Sequence, residues 1–523
     1  MKNSINLRGR IKQSDHIYAL KIKTESNGLG VLKTIIVMLL IALQLAFLVV
    51  SYLYLALAFQ TYLLISVFLS LIACIHVLST DYHGQAKATW VFFLLISFGF
   101  GYIMYFLSGK KIMFAKSKKK INKYINKNDT LKVQEETKIA GDIKNLSNYL
   151  YNAGKFVTYN NSKTTYFSSG ASFFDDIIEE MKKAKEFIFL EFFIISNGVL
   201  LTRILDVLTK KANEGVDVRI IYDDMGSHRT LKRKTKNLIL KNGIKLQSFN
   251  RLVPVFNIAL NLRDHRKIVI IDGKVSYTGG ANLADEYINE KRMHGYWKDE
   301  GIKIEGKATD NLTIAFLSQW EFLTGNQADC SKYINKAQEN KSQGIVVPFV
   351  SGPNYACSIA QNSYLELISS AKEKLYIMTP YFIPDETILN AIVNKAKAGV
   401  DVRLVLPSIA DKKFVYIVTR NNAEKIMDSG VKVYTMDNSF VHSKVVMTES
   451  MAIVGSINMD LRSFNQQFES AVLTNEKSTV SAVQKDFDFA FKYSKKIEEK
   501  DKKRNKVAYR SLAGLFNIIS PFM

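Results

Sequence analysis

Residues 264–282, DHRKIVIIDGKVSYTGGAN, decide how this chain is read. His265 and Lys267 stand two residues apart at the head of an apolar run, so they share one face of a strand. Asp272 and Gly273 supply a turn, and a second apolar run closes on Gly279, Gly280 and Asn282. The pattern predicts a hairpin whose two ends meet and bring an imidazole, an ammonium and an amide to one point. Residues 442–458, HSKVVMTESMAIVGSIN, repeat it with His442, Lys444, Glu449, Gly455, Ser456 and Asn458. Such a trio suits a phosphoryl group. Lysine neutralises phosphate oxygens as a point charge, the amide donates hydrogen bonds, and histidine attacks or moves a proton. Two copies provide one nucleophile and one general acid. Only seven histidines occur in the chain, so a chance double match is rare.

The flanking sequence is duplicated too. AKEFIFLEFFIIS (184–196) precedes ILDVLTKKANEGVDVRIIYDD (204–224), and AKEKLYIMTPYFIP (371–384) precedes ILNAIVNKAKAGVDVRLVLPS (388–408). Each pair reads as strand, amphipathic helix, glycine at the helix end, then strand. Residues 215–219 and 399–403 are both Gly-Val-Asp-Val-Arg. The expected fold class is α/β: two halves related by a pseudo-twofold, each a mixed, largely parallel sheet flanked by helices. Facing halves would bring His265 and His442 together. The halves span 166–324 and 345–495, joined by a polar linker at 325–344.

Ahead of them lie a basic tail (1–33), a mostly apolar segment (34–108) and a basic connector (109–165). The apolar segment predicts two to three transmembrane helices. Two runs near 34–57 and 62–80 meet at a hairpin expected at Gln60 and Thr61, and a third runs from Ala88 to Leu107. Asp81–Lys87 is the polar loop before that third run, which carries Trp90, Tyr102 and Tyr105 as interfacial aromatics. The lysines from Lys110 to Lys127 put the following domains in the cytoplasm by the positive-inside rule. They would also attract anionic headgroups. Residues 496–523 hold a charged stretch and an amphipathic tail. In that tail Leu512, Leu515, Phe516 and Ile519 share a face that lies either on the membrane or against the protein body.

The paired HxKxxxxD-type motifs, each followed by GGxN or GSxN, resemble the phospholipase D superfamily. GGANLADEYIN (279–289), GYWKDEGIKIEG (295–306), TPYFIPDE (379–386) and GSINMDLRSFNQQFE (455–469) narrow the resemblance to bacterial cardiolipin synthases. The match covers nearly the whole chain. It implies a multi-pass enzyme of the cell membrane with two phospholipase D-like α/β domains. Phosphatidylglycerol is the substrate implied, with no metal, no cofactor and no nucleic acid. His265 is then the nucleophile that becomes a phosphohistidine, and His442 the acid/base, although the sequence itself does not rank the two. Lys267, Asn282, Lys444 and Asn458 would hold phosphate oxygens, and the motif acids Asp272 and Glu449 fall among the catalytic positions. Asp299 and Glu469 are expected to orient the imidazoles, as carboxylates do in nucleophile–base systems.

Asp272 stands in a turn, where a backbone-binding role serves as well as a catalytic one. Glu449 departs from the family aspartate, and its turn is one residue shorter: Gly455 lies 13 residues after His442, Gly279 14 after His265. Glu191 and the segment Thr379–Phe382 end strands aimed at the site, while His228 and His294 have no assigned place. A net charge of +23 requires an anionic partner, either membrane or nucleic acid. The positive charge gathers beside the apolar segment, which favours membrane. Cys74, Cys330 and Cys357 lack any metal-ligand or disulfide spacing. A hydrolytic phospholipase D, or a scaffold with a decayed second motif, is the competing reading.

Overall fold

The computed structural model describes residues 39, 42–50, 52–53, 56–80, 84–97, 101–103, 105, 111–132, 139, 141–251, 262–327, 329–338, 344–518 and 520. The basic tail, the start of the first apolar run, Asp81–His83 and Ile519 lie outside them. Every described residue of the unit Met1–Gln60 is helical. Helix α1, Ala56–Ser79, runs unbroken through Gln60 and Thr61, which corrects the expected hairpin there. Neither residue breaks a helix as Gly or Pro would. Within α1, the 21 residues Phe59–Ser79 are long and apolar enough to cross a bilayer. Helix α2, Gly84–Ile96, is apolar but has only 13 residues. The end of the expected polar loop, Gly84–Lys87, already belongs to α2.

The basic connector forms helix α3, Lys111–Asp129. Asn128 at its end donates to Glu321 Oε2 at 2.8 Å and to Ser318 Oγ at 3.0 Å, which docks α3 on the soluble part.

Two sheets follow. The first contains β1 (Ser162–Phe167), β2 (Phe187–Phe192), β3 (Asp217–Asp223), β4 (Lys245–Phe249), β5 (Lys267–Ile271), β6 (Val275–Gly279) and β7 (Gly301–Gly306). Their order is β1-β7-β6-β5-β2-β3-β4. The second contains β8 (Val346–Ser351), β9 (Lys374–Met378), β10 (Asp401–Pro407), β11 (Lys432–Met436), β12 (Val445–Thr448), β13 (Ala452–Gly455), β14 (Gln467–Thr474) and β15 (Ser494–Lys496). Its order is β8-β14-β13-β12-β9-β10-β11-β15, the same succession with one strand added. Helices α4 (Val199–Asn213) and α6 (Glu386–Lys397) link the parallel strands. Gly215 and Gly399 follow them at φ of 89° and 92°, a conformation that suits glycine.

The sheets are mixed, but mainly antiparallel, which corrects the expected parallel majority. In the first, only β2-β3 and β3-β4 run parallel, against four antiparallel pairings. Strand–helix–strand units generate just three parallel strands. The motif hairpin and the strands flanking it pair antiparallel, as short connections require.

Helix α5, Thr309–Thr324, is the buried seam between the sheets. Its Phe316 stacks on Phe189 of β2 at 4.8 Å, and its Asn311 donates to Pro348 O of β8 at 2.9 Å. One hydrophobic core therefore runs through both halves. Within the expected linker, Tyr333 packs on Phe187 at 5.0 Å and donates to Asp217.

The amphipathic tail forms helix α8, Val507–Ile518, which packs against helix α7, Lys413–Met427. Tyr509 donates to Ile417 O, and Phe516 meets Phe414 at 6.3 Å. Gln85 of α2 donates to Asn517 O and Ser520 Oγ, tying the tail to the apolar segment. Val507, Leu512 and Leu515 remain exposed.

Candidate active site

Two short strands deliver the histidines. Arg263–Asp264 pairs in parallel with the start of β14, Asp264 opposite Phe468, so His265 N donates to Phe468 O at 2.9 Å. Ser439–Val441 pairs in parallel with Tyr296–Lys298, Val441 opposite Lys298, and His442 N donates to Lys298 O at 2.7 Å. Each pairing sets an imidazole beside the next residue on the opposing strand. That residue is a carboxylate both times.

The partnership is crossed. His265 Nδ1 lies 3.0 Å from Glu469 Oε2, and His442 Nδ1 lies 2.7 Å from Asp299 Oδ2. Each half thus orients the other half's histidine. Where its carboxylate is ionised and only accepts, each Nδ1 carries a hydrogen and is held in place, which leaves Nε2 for the chemistry. Both rings are buried and edge a cavity of about 310 Å³ that Asn282 and Asn458 also line. Lys267 and Lys444 lie buried beside them. Lys267 donates to His265 O at 2.6 Å, and Lys444 donates to His442 O while its ammonium stands 2.8 Å from His442 Nδ1.

Burial and this lysine pair push both imidazoles toward the neutral form. Desolvation, then Lys267, Lys444 and Arg462, push His265 well below its ordinary range. Desolvation and Lys444 push His442 down to about 4, against the pull of Asp299. The carboxylates differ. Burial alone would raise Asp299, yet His442 and Lys444 outweigh it and hold Asp299 below the usual carboxylate range. Burial prevails at Glu469, pushed up to about 7 although Lys267 and the hydroxyls of Ser456 and Ser463 lower it. Desolvation likewise brings Lys267 down to about 7.

This geometry is found in a chain with extensive likeness to known proteins. The family described as "Cardiolipin synthase, PLD-like domain" matches residues 177–294 and 364–490. A "Cardiolipin synthase 2" of Staphylococcus epidermidis is 32% identical over 478 residues, 88% of this chain and 98% of that protein. A "Cardiolipin synthase" of Staphylococcus aureus is 33% identical over 457 residues, 84% of this chain and 92% of the relative. The chain belongs to the cardiolipin synthase family. Among solved structures, a phosphatidylserine synthase of Haemophilus influenzae Rd KW20 covers 73% of the chain and 100% of its own, with a TM-score of 0.56 and 16% identity. At that identity it shows a shared fold alone.

Two motif acids of this cardiolipin synthase family member stand apart from the cavity. Asp272 accepts from the N–H groups of Lys185, Glu186 and Phe187 at 2.8–2.9 Å, securing the start of β2. It lies at the other end of β5 from Lys267, about 17 Å along a five-residue strand. Glu449 does the same for Lys372, Glu373 and Lys374 at the start of β9. Counting these acids as catalytic is corrected here. Hairpin length carries them away from the histidines.

Glu191 ion-pairs with Arg266 at 2.8 Å and does not line the cavity. Tyr381 and His294 do line it, along with Tyr287, Trp297, Phe193 and Phe440. Trp297, Tyr287 and Phe440 rings surround His442 at 5.3–5.8 Å. Asn282 donates to Tyr287 at 2.7 Å and accepts from Ile194 N. Ser456 and Ser463, which bond Glu469, carry no signal in the sequence beyond their place in the family-like stretch. The space above Asp299 explains the first motif's second glycine: a Cβ on Gly280 would sit 2.2 Å from Asp299 Oδ1. The matching residue, Ser456, instead donates its hydroxyl to Glu469.

Proposed function

We propose that this phosphatidyltransferase moves a phosphatidyl group between two phosphatidylglycerol molecules, giving cardiolipin and glycerol. The observation that carries this reading is the crossed pair of carboxylate-oriented histidines on one cavity. His265 Nε2 attacks phosphorus while His442, entering as the imidazolium that ionised Asp299 stabilises, gives its Nε2 proton to the departing glycerol oxygen and is left neutral. A P–N bond forms as the P–O bond breaks. The second lipid's hydroxyl then gives its proton to His442 and displaces His265, restoring both rings. Lys267, Lys444, Asn282 and Asn458 stabilise the phosphate oxygens throughout.

The role assignment rests on the carboxylates. Asp299, held ionised, favours an imidazolium on His442 and so suits the acid/base. Glu469, with its weaker acidity, leaves His265 a neutral nucleophile. The equivalent strand orders support two pseudo-twofold-related domains, 166–324 and 345–495, with 325–344 between them. The apolar segment and the lysine-rich helix α3 support a multi-pass protein of the cell membrane whose domains face the cytoplasm.

The test is purified protein in detergent with phosphatidylglycerol as sole lipid. Cardiolipin and equimolar glycerol are expected, with turnover to both abolished in His265→Ala and in His442→Ala. Lipid radiolabelled at phosphorus is expected to leave an acid-labile protein label in His442→Ala and none in His265→Ala. Phosphatidic acid in place of cardiolipin would mean a hydrolase.

A further inference from the structure

Arg462 lines the cavity that holds both histidines, yet its Nε is buried and unpartnered and no ion pair engages its guanidinium among the described residues. A guanidinium keeps its charge at neutral pH, so a desolvated one needs an anion close by. The carboxylates around it are committed elsewhere. Asp460 accepts from Ser463 N at 2.7 Å, and Asp223 holds Arg263 together with the N–H groups of Met225, Gly226 and Asp264. Glu469 holds His265 and two serines, and Asp411 accepts from the Tyr381 hydroxyl and Lys412 N. Arg462 follows Asn458 by four residues. The residue four after Asn282 is Glu286, which lines the same cavity. The two related positions thus carry opposite charges, and only the second suits an anion.

Cardiolipin formation brings two phosphates into this space. One is the reacting phosphorus, bonded to His265 after the first step. The other is the acceptor lipid's own phosphodiester, which stays intact and is joined to the attacking hydroxyl oxygen through a three-carbon glycerol unit. In the second step that oxygen bonds to phosphorus and its proton passes to His442. The P–N bond breaks, and its electron pair returns to His265. Lys267 and Lys444 are occupied by the reacting phosphate. We propose that Arg462 is the subsite for the acceptor's unreacted phosphodiester, which a guanidinium fork matches with two parallel hydrogen bonds. Arg462 thereby selects an anionic glycerophosphodiester over free glycerol or water as acceptor. This inference rests on the cardiolipin synthase reading above.

The test compares two acceptors in one reaction: full-length protein in detergent, phosphatidylglycerol and labelled glycerol. Label entering phosphatidylglycerol reads the first step in reverse with glycerol as acceptor, while cardiolipin reads the lipid acceptor. In Arg462→Gln the ratio of cardiolipin to exchange is expected to fall at least tenfold, and Arg462→Lys to recover part of it. Equal losses in both products would overturn the proposal and assign Arg462 to the reacting phosphate or to folding. An unchanged ratio would overturn it as well. Wild-type protein yielding neither product would instead refute the underlying function, and the subsite with it.

Discussion

In the first motif hairpin, Asp272 reaches three backbone N–H groups at 2.8–2.9 Å from a turn of residues 272–274. In the second, Glu449 reaches the matching three at 3.2–3.4 Å from a shorter turn, residues 449–450 closed by Thr448 N on Met451 O. The extra methylene of glutamate makes up for the missing turn residue, with poorer hydrogen bonds. What both hairpins preserve is an anchor for the first strand of the parallel trio, not an acid at the reaction centre. The departure from aspartate is a local repair, and it leaves the second histidine and lysine where the chemistry needs them.

The carboxylates behind the histidines differ in a way that matters more. Asp299 faces both His442 and Lys444, whereas Glu469 is partly satisfied by serine hydroxyls and is pushed up to about 7. The largest effect is expected from Asp299→Asn, which removes a fixed anion and frees the wrong tautomer; cardiolipin formation should fall about 10³–10⁴-fold. Glu469→Gln mimics a state that Glu469 already populates near neutrality, and about 10–100-fold is expected for the same assay. Similar losses in both variants would break the distinction between the half-sites.

The pH profile of kcat/KM sharpens it. Glu469 ionises as pH rises through about 7, so the rate should climb there, and Lys267 loses its proton above about 7, so the rate should then fall. Glu469→Gln should erase the acid limb, and Lys267→Arg should move the alkaline limb upward. A profile unmoved by either variant would show that neither group titrates in the reaction.

Stability should separate the hairpins next. Asp272→Ala strips three N–H groups of their acceptor, that of Phe187 buried, and should cost about 2–3 kcal/mol. Glu449→Ala, with longer bonds at a half-exposed turn, should cost no more than about 1 kcal/mol. Thermal melting of the two variants in detergent measures the difference. The smallest effect belongs to Glu449→Asp. It restores the usual acid on a turn too short for it, and a slight loss of stability with turnover close to wild type is expected. A gain would mean that Glu449 is itself the strained choice.

Much of the site was legible because its signals are local. His265–Lys267 and His442–Lys444 declare themselves by strand periodicity, and the Gly-Val-Asp-Val-Arg repeat exposes the duplication. Asp299 and Glu469 were found as acids near the site, but not which histidine each serves. Their partners lie 143 and 204 residues away, in the opposite half. The turn proposed at Gln60 and Thr61 failed for the converse reason: two polar residues look like a break in an apolar run, yet a helix carries them without strain.

The sequence by itself determined the two strand–helix–strand units, the two hairpins and the four cationic or imidazole side chains at their heads, since each follows from the spacing of neighbouring residues. Tertiary structure alone decided the rest. Two short parallel pairings between halves cross the carboxylates over, and the antiparallel hairpins outnumber the parallel strands. The tail reaches back to the apolar segment, and Arg462 is left in the cavity with no carboxylate paired to it among the described residues. Those outcomes depend on which strand edges and buried charges meet across hundreds of residues, and periodicity along the chain carries no record of such meetings.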